Sequence, residues 1–339
     1  IYCLLRQQNN TAFPFISIVL SVRNEQHHIQ KCLNHLLAQH YPKQLFEIIV
    51  VDDFSDDNTL HSLQSFSHHP QVRILTAFTS KRYKSSKKNA LEQGIRKARG
   101  ELIVLTDADC APPPDWVKTM VAYIKADTAL VAGFSPQTAK SRWLNGIYKC
   151  DSLAAAFVAA GGMGHGHGIT CTGRNLAYRK SVFEEIDGFK DVPDSLSGDD
   201  DFILQKMAQL PSWRITYAIH PQAGVPAKGP ETLRGFFRQK QRHISAGKHF
   251  RRTQQVGYGV FHLCNALLWL APVVDLFWGT SLWMGLAAKV VFDILILRWF
   301  AGKFHISLPL YVAAVWEVVF LAYNAISGVL AFTRRSTWK

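Results

Sequence analysis

The stretch ELIVLTDAD, Glu101 to Asp109, decides how this chain reads. Its aliphatic run, through Thr106, is too short for a helix and suits a strand buried on both faces. Two acids, Asp107 and Asp109, follow at once. The same grammar occurs upstream, where FEIIVV (Phe46 to Val51) ends on Asp52 and Asp53. ISIVLS (Ile16 to Ser21) and VRILT (Val72 to Thr76) read as two further strands. Helical patterns lie between them, as in Gln26 to Gln39 and Lys87 to Ala98. Strands alternating with helices predict an α/β fold with a mostly parallel sheet covered on both faces. In such sheets ligands bind outside the carboxyl ends of the strands, which is where these four aspartates fall.

The remaining composition narrows the class. The 339 residues carry a net charge of +13, and 48% are hydrophobic. The apolar residues concentrate beyond Val256, so the excess of basic residues reads as an anionic membrane partner. No zinc-finger spacing, basic zipper or aromatic ribonucleoprotein motif is present, which argues against nucleic acid. The six cysteines form no C-x-x-C pair and no framework, as expected of free thiols in a reducing compartment. The first residue is Ile1 rather than Met, which reads as a trimmed sequence. Gly161 to Gly168 (GGMGHGHG) reads as a flexible loop near the site; the competing reading makes His165 and His167 metal ligands.

Three apolar stretches close the chain, at Val256–Trp278, Ser281–Phe300 and Ile306–Phe332. Each approaches or exceeds the about 20 residues that a spanning helix needs. They contain Asp275, Lys289, Asp293, Arg298 and Glu317, charges that need partners in an apolar setting. Lys289 and Asp293 are four apart and predict a pair on one helix face. Arg251, Arg252, Arg298 and Lys303 flank the stretches and predict cytoplasmic ends. Three full spans would put Arg334 and Arg335 outside, against that rule, so of the two or three helices either one stretch lies in the interface or the count is off.

Four motifs carry chemistry. VDDFSDDNT (Val51 to Thr59) offers carboxylates to a base N–H or to ribose hydroxyls; equally, it reads as an acidic turn capped by Asp57 or Asn58. TDAD (Thr106 to Asp109) sets two carboxylates within reach of one hard cation, which can neutralise a departing diphosphate. SGDDDFILQK (Ser197 to Lys206) crowds three acids before an apolar helix, and crowding raises one pKa toward the range of a general base. The simpler reading is acids favoured by the helix dipole. RQKQRH (Arg238 to His243) lies on a basic helix, with Arg242 suited to phosphate. Lys240 and Arg238 read almost as well as a lipid-facing surface.

The ordered set S-V-R-N-E, V-D-D-x-S, S-K-x-x-A-L-x-x-G-I, D-A-D, G-R-N-x-A-Y-R, G-D-D-D-F and Q-x-x-R-H resembles glycosyltransferase family 2, with its nucleotide-diphosphosugar transferase (GT-A) fold. The resemblance covers about Pro14 to Gly247. The tail resembles membrane-bound members, among them ceramide glucosyltransferases and cellulose or hyaluronan synthases. It implies a short N-terminal stub (1–13), a GT-A domain (14–232), an amphipathic interfacial segment (233–255) and C-terminal transmembrane helices (256–333).

By this resemblance Glu25, Asp52, Asp53 and Lys87 line the nucleotide pocket. Asp107 contacts the donor, and Asp109, with Asp107, holds Mg2+ or Mn2+. Asp200 is the base, with Asp199 the neighbouring alternative; the register of Asp199, Asp200, Phe202, Ile203 and Lys206 favours Asp200. Gln239, Arg242 and His243 lie near the acceptor and the diphosphate. Two positions depart from the family pattern: His243 stands for its tryptophan and Phe54 for its usual glycine. The implied activity is inverting sugar transfer from a nucleotide-sugar donor to a lipid, lipid-linked or glycan acceptor. The implied location is the inner membrane, with the catalytic domain facing the cytoplasm. A processive polysaccharide synthase and an inactive nucleotide-sugar-binding subunit are the rival readings.

Overall fold

The computed structural model describes residues 13–79, 85–191, 198–247 and 250–320. The strands are β1 (Ile16–Val22), β2 (Phe46–Asp52), β3 (Val72–Thr76), β4 (Leu102–Leu105), β5 (Thr128–Gly133), β6 (Gln137–Thr138), β7 (Leu176–Arg179), β8 (Arg214–Ala218) and β9 (Ala227–Lys228). Seven of them form one sheet in the order β3-β2-β1-β4-β7-β5-β8, while β6 and β9 stand outside it. β1 to β4 run parallel, and β5 runs parallel to β8. β7 is antiparallel to both of its neighbours. The expected α/β sheet is therefore present, and each of the four expected strands ends within one residue of its expected carboxyl end. The reversed strand β7 was not foreseen, because its four residues carry too short a pattern to register as a strand.

The helices are α1 (Ile29–Leu37), α2 (Thr59–Gln64), α3 (Ser86–Lys97), α4 (Trp116–Ala122), α5 (Arg142–Gly164), α6 (Lys180–Glu185), α7 (Asp199–Met207), α8 (Leu233–Ala246), α9 (Arg252–Trp278) and α10 (Trp283–Gly302). The chain divides into two compact units. The first carries the seven-stranded sheet. The second includes Thr138–Ala154 and the chain beyond Gly229.

In the first unit the central strands are mostly apolar because both faces are covered. All seven residues of β2 are buried. One of them is Glu47, whose carboxylate accepts from Ser17 Oγ at 2.8 Å, Arg99 N at 2.7 Å and Arg73 Nη1 at 3.0 Å. Burial alone would raise its pKa; the Arg99, Ser17 and Arg73 donors overcome that and lower it. Gly94 of α3 explains the glycine of the S-K-x-x-A-L-x-x-G-I motif. A Cβ there would meet Val19 Cγ1 at 2.6 Å and Val51 Cγ2 at 3.0 Å, so only glycine lets α3 lie this close to β1 and β2.

In the second unit α9 is long and apolar enough to cross a membrane, the one such helix among the described residues. Its large apolar side chains are exposed, Leu276 at 81%. Asp275 accepts from Leu282 N at 3.0 Å and holds the turn into α10. Lys289 and Asp293 pair at 2.8 Å as expected, and Lys289 also meets Glu317. The third apolar stretch contributes the helix Leu310–Phe320; its remainder, with Arg334 and Arg335, lies outside the described residues.

Two local expectations need correction. Gly161 to Gly164 are the last turn of α5 rather than loop; the helix ends before Gly166, whose φ of +76° needs glycine. Lys240 faces neither lipid nor phosphate. It is buried in an ion pair with Asp151, because α8 turns that face toward the amino-terminal half of α5.

Candidate functional site

The site builds up from loops at the carboxyl edge of the sheet. The loops after β1 and β2 are tied together: Glu25 N donates to Thr59 Oγ1 at 2.8 Å, Gln26 N to Asp57 Oδ2 at 3.3 Å and Asp56 N to Asn24 Oδ1 at 3.0 Å. Asp57 also accepts from Thr59 N at 2.8 Å, so it is a turn residue at the start of α2. The turn reading of the VDDFSDDNT stretch is thus met at Asp57.

Asp52 and Asp53 behave differently from Asp57. Both are 3% exposed, and the Oδ1 atom of each is buried without a hydrogen-bond partner among the described residues. Asp52 Oδ2 accepts from Ser55 N at 3.4 Å. A buried carboxylate oxygen with no donor is costly, and it is suited to the N–H or O–H groups of a ligand. Next to them Phe54 has φ of +56°, in the left-handed region where a bulky residue is strained by about 1–2 kcal/mol. That explains the glycine which the family pattern has at this position.

The loop after β4 carries the second acidic pair. Lys87 Nζ, from α3, lies 2.9 Å from Asp107 Oδ1. Burial would lower the Lys87 pKa, but Asp107, with Asp199 and Asp200, raises it and keeps the ammonium charged. Burial pushes Asp109 above the usual carboxylate range; Asp107 adds to this and Arg174 opposes it. Burial likewise raises Glu25, with His28 at 2.9 Å opposing and Asp109 and Asp107 adding. These mutual fields place Glu25, Lys87, Asp107, Asp109, Asp199 and Asp200 in one neighbourhood.

The three acids that open α7 have three partners. Lys88, itself buried, lies 3.1 Å from Asp199 Oδ1. Gly173 N donates to Asp200 Oδ2 at 2.6 Å. Cys171 N donates to Asp201 Oδ1 at 2.9 Å. Burial raises the pKa of all three. At Asp200 the positive charge of Lys87 and the Gly173 N–H oppose that rise. Gln239, Arg242 and His243 lie on α8, in the second unit.

The donor set fits a hard divalent cation. Asp107 and Asp109 present carboxylate oxygens, and at Asp109 burial and the Asp107 charge disfavour the bare carboxylate, a cost that a bound cation would offset. No group of three or more His, Cys, Asp or Glu able to hold a metal occurs among the described residues, His165 and His167 included. Two carboxylates are the donor set of a cation that completes its shell with phosphate oxygens and water.

Sequence reasoning quoted the G-R-N motif but assigned none of its residues. Gly173 holds Asp200, and the charge of Arg174 opposes the rise that burial and Asp107 impose on Asp109. Asn175 is fully buried. It accepts from Trp116 Nε1 at 2.9 Å and donates to the Phe134 and Ala223 carbonyls, each at 2.7 Å. Lys88 was also missed, its neighbour Lys87 having been chosen.

Known proteins resemble this chain. Glycosyltransferase AglE of Haloferax volcanii is 26% identical over 234 residues, covering 67% of this chain and 72% of AglE. A beta-monoglucosyldiacylglycerol synthase of Synechocystis sp. is 22% identical over 335 residues, covering 96% of this chain and 66% of that protein. Relatives vary in length, and this chain spans from 33% to 72% of theirs. Among solved structures, a mannosyltransferase of Pyrobaculum calidifontis in complex with GDP-Man and Mn2+ superposes with a TM-score of 0.59 at 19% identity, covering 95% of this chain and 88% of that one. That likeness establishes the GT-A fold. Glycosyl transferase family 2 matches residues 17–187, half of the chain, and the chain belongs to that family.

Proposed function

We propose that this chain transfers a sugar from a nucleotide-sugar donor to a lipid or lipid-linked acceptor at a membrane surface, with inversion at the anomeric carbon. The observation that carries this is the half-buried acid Asp200, held by the Gly173 N–H beside the Lys87–Asp107 pair. Asp200 removes the proton from the acceptor hydroxyl. Asp52 and Asp53 accept from the nucleoside, and Lys87 positions Asp107 against the donor. Asp109, with Asp107, would hold a Mg2+ or Mn2+ ion whose charge offsets that of the departing nucleoside diphosphate. Arg242, with Gln239 and His243 on the same helix, would meet the diphosphate and the acceptor. The work is largely positioning and electrostatics.

The lipid acceptor is supported by the diacylglycerol named for the Synechocystis relative and by the exposed apolar surface of α9 and α10. In this reading two or three helices beyond Val256 span the inner membrane. Arg251, Arg252 and Lys303 then stand on the cytoplasmic side, with the catalytic domain. The test is incubation of the detergent-purified chain with lipid acceptors and a panel of nucleotide sugars, reading nucleoside diphosphate release. Release from one donor class, with one sugar added per acceptor, is expected. A ladder of products would favour the processive rival, and no release from any donor would overturn the reading.

A further inference from the structure

We infer that Phe54 is a stacking platform for the nucleobase of the donor, and so a residue that sets nucleotide affinity in this chain. The inference rests on the nucleotide-sugar reading above and adds to it an aromatic ring that the family pattern does not supply. Its first support is conformational. Phe54 has φ of +56°, a backbone state that glycine adopts freely and that a residue with a Cβ resists. A strained non-glycine residue persists where its side chain has a use, and such residues cluster at ligand sites.

The second support is placement. Phe54 directly follows Asp52 and Asp53, each buried with an unpartnered carboxylate oxygen. The Phe54 ring itself is 48% exposed, so it does not serve the core. On the neighbouring strand, Thr76 pairs with Asp52, and Phe78, two residues further on, is 66% exposed. This edge of the sheet therefore offers apolar rings beside buried hydrogen-bond acceptors. A nucleobase needs both: a flat π-face to stack on and an acceptor for its ring or exocyclic N–H. An inorganic diphosphate needs no such ring.

The third support is the loop's rigidity. Ser55 N donates to Asp52, and Asn24 N donates to Ser55 Oγ at 3.1 Å, so Phe54 is held between two tied positions. A fixed backbone leaves only the ring's own rotation to be ordered when a base settles on it.

The experiment uses the full chain in detergent, titrated with UDP, GDP, CDP and inorganic pyrophosphate, for the native sequence, Phe54→Gly and Phe54→Tyr. Phe54→Gly removes the ring and relieves the backbone, so it should fold at least as well, with an unchanged or higher Tm. It should weaken the preferred nucleoside diphosphate by about 5- to 150-fold, the range that stacking supplies, and leave pyrophosphate unchanged. Phe54→Tyr should keep the native affinity. Equal nucleoside diphosphate binding by native chain and Phe54→Gly overturns the inference while leaving the proposed function standing. Equal weakening of pyrophosphate also overturns it, since the ring would then be shaping the loop rather than meeting the base. No binding of any nucleoside diphosphate by the native chain overturns both.

Discussion

Gly173 donates its backbone N–H to Asp200 Oδ2 at 2.6 Å, across 27 residues of chain. The bond joins the start of the G-R-N motif to the acidic start of α7, and it fixes the direction of one carboxylate among three. Asp199 is turned to Lys88, and Asp201 to Cys171 N. Asp200, like Asp201, is thus held by a neutral backbone donor, whereas Asp199 faces a charge. A base needs this combination of fixed geometry and unspent proton affinity.

Asp200→Asn should lower kcat by about 10²–10⁴-fold, the usual contribution of a general base, with donor binding nearly unchanged. Burial raises the Asp200 pKa, so the native rate should fall, as pH drops, at a pH above the ordinary 3.8 of the side chain. The sign for stability is opposite to that of a salt-bridged acid. Ionising a group whose folded pKa is raised destabilises the fold above its unfolded pKa, so Asp200→Asn should leave Tm unchanged or higher. Asp201→Ala should act chiefly on Tm, through the lost acceptor for Cys171 N. A fully active Asp200→Asn with a dead Asp199→Asn would move the base by one residue.

The sequence made some of this site legible and hid the rest for identifiable reasons. The ends of β2 and β4 are readable because strands buried on both faces are continuous apolar runs, and the acids after them break the pattern sharply. Asp107 and Asp109 follow from that alone. Which of Lys87 and Lys88 meets which carboxylate is not readable. Adjacent helix positions point about 100° apart, and only the packed helix says which direction holds Asp107 and which Asp199. Asn175 was invisible because its partners, Trp116, Phe134 and Ala223, are distant in sequence. The reversed strand β7, which carries the G-R-N motif into the sheet, set its chemistry by topology rather than by composition.

Chelation should report on the pair Asp107 and Asp109. EDTA should abolish turnover and Mn2+ or Mg2+ should restore it, because two carboxylates crowded by burial and by each other attract a hard cation. Asp109→Asn should raise the metal concentration needed for half-maximal rate and weaken donor binding as well. Full turnover in EDTA would remove the metal from the mechanism.

Asn175→Ala should act on stability rather than chemistry. It strands the Trp116 indole N–H and the Phe134 and Ala223 carbonyls in a dry interior, and each unsatisfied group costs about 1–3 kcal/mol. A loss of about 2–4 kcal/mol is expected, read by denaturant unfolding. Donor KM in the surviving folded fraction should be close to native. If the midpoint does not move, water has replaced the amide and this network is not what holds the motif in place.

The exposed apolar face of α9 makes the last prediction. Leu263 and Leu267 are 59% and 57% exposed, midway along a helix of 27 residues. In water such a face would drive aggregation, whereas in lipid it is the matching solvent. The full chain should therefore sediment with membranes, resist extraction by alkaline carbonate and come out with detergent. Leu263→Asp with Leu267→Asp should shift it toward the aqueous fraction, since a charge at the bilayer centre costs about 2.5–3.5 kcal/mol per residue on insertion scales. The same pair of changes on a water-facing helix would instead improve solubility. A native chain that is monodisperse in detergent-free buffer would show that α9 faces water and that the catalytic unit reaches its acceptor without crossing the bilayer.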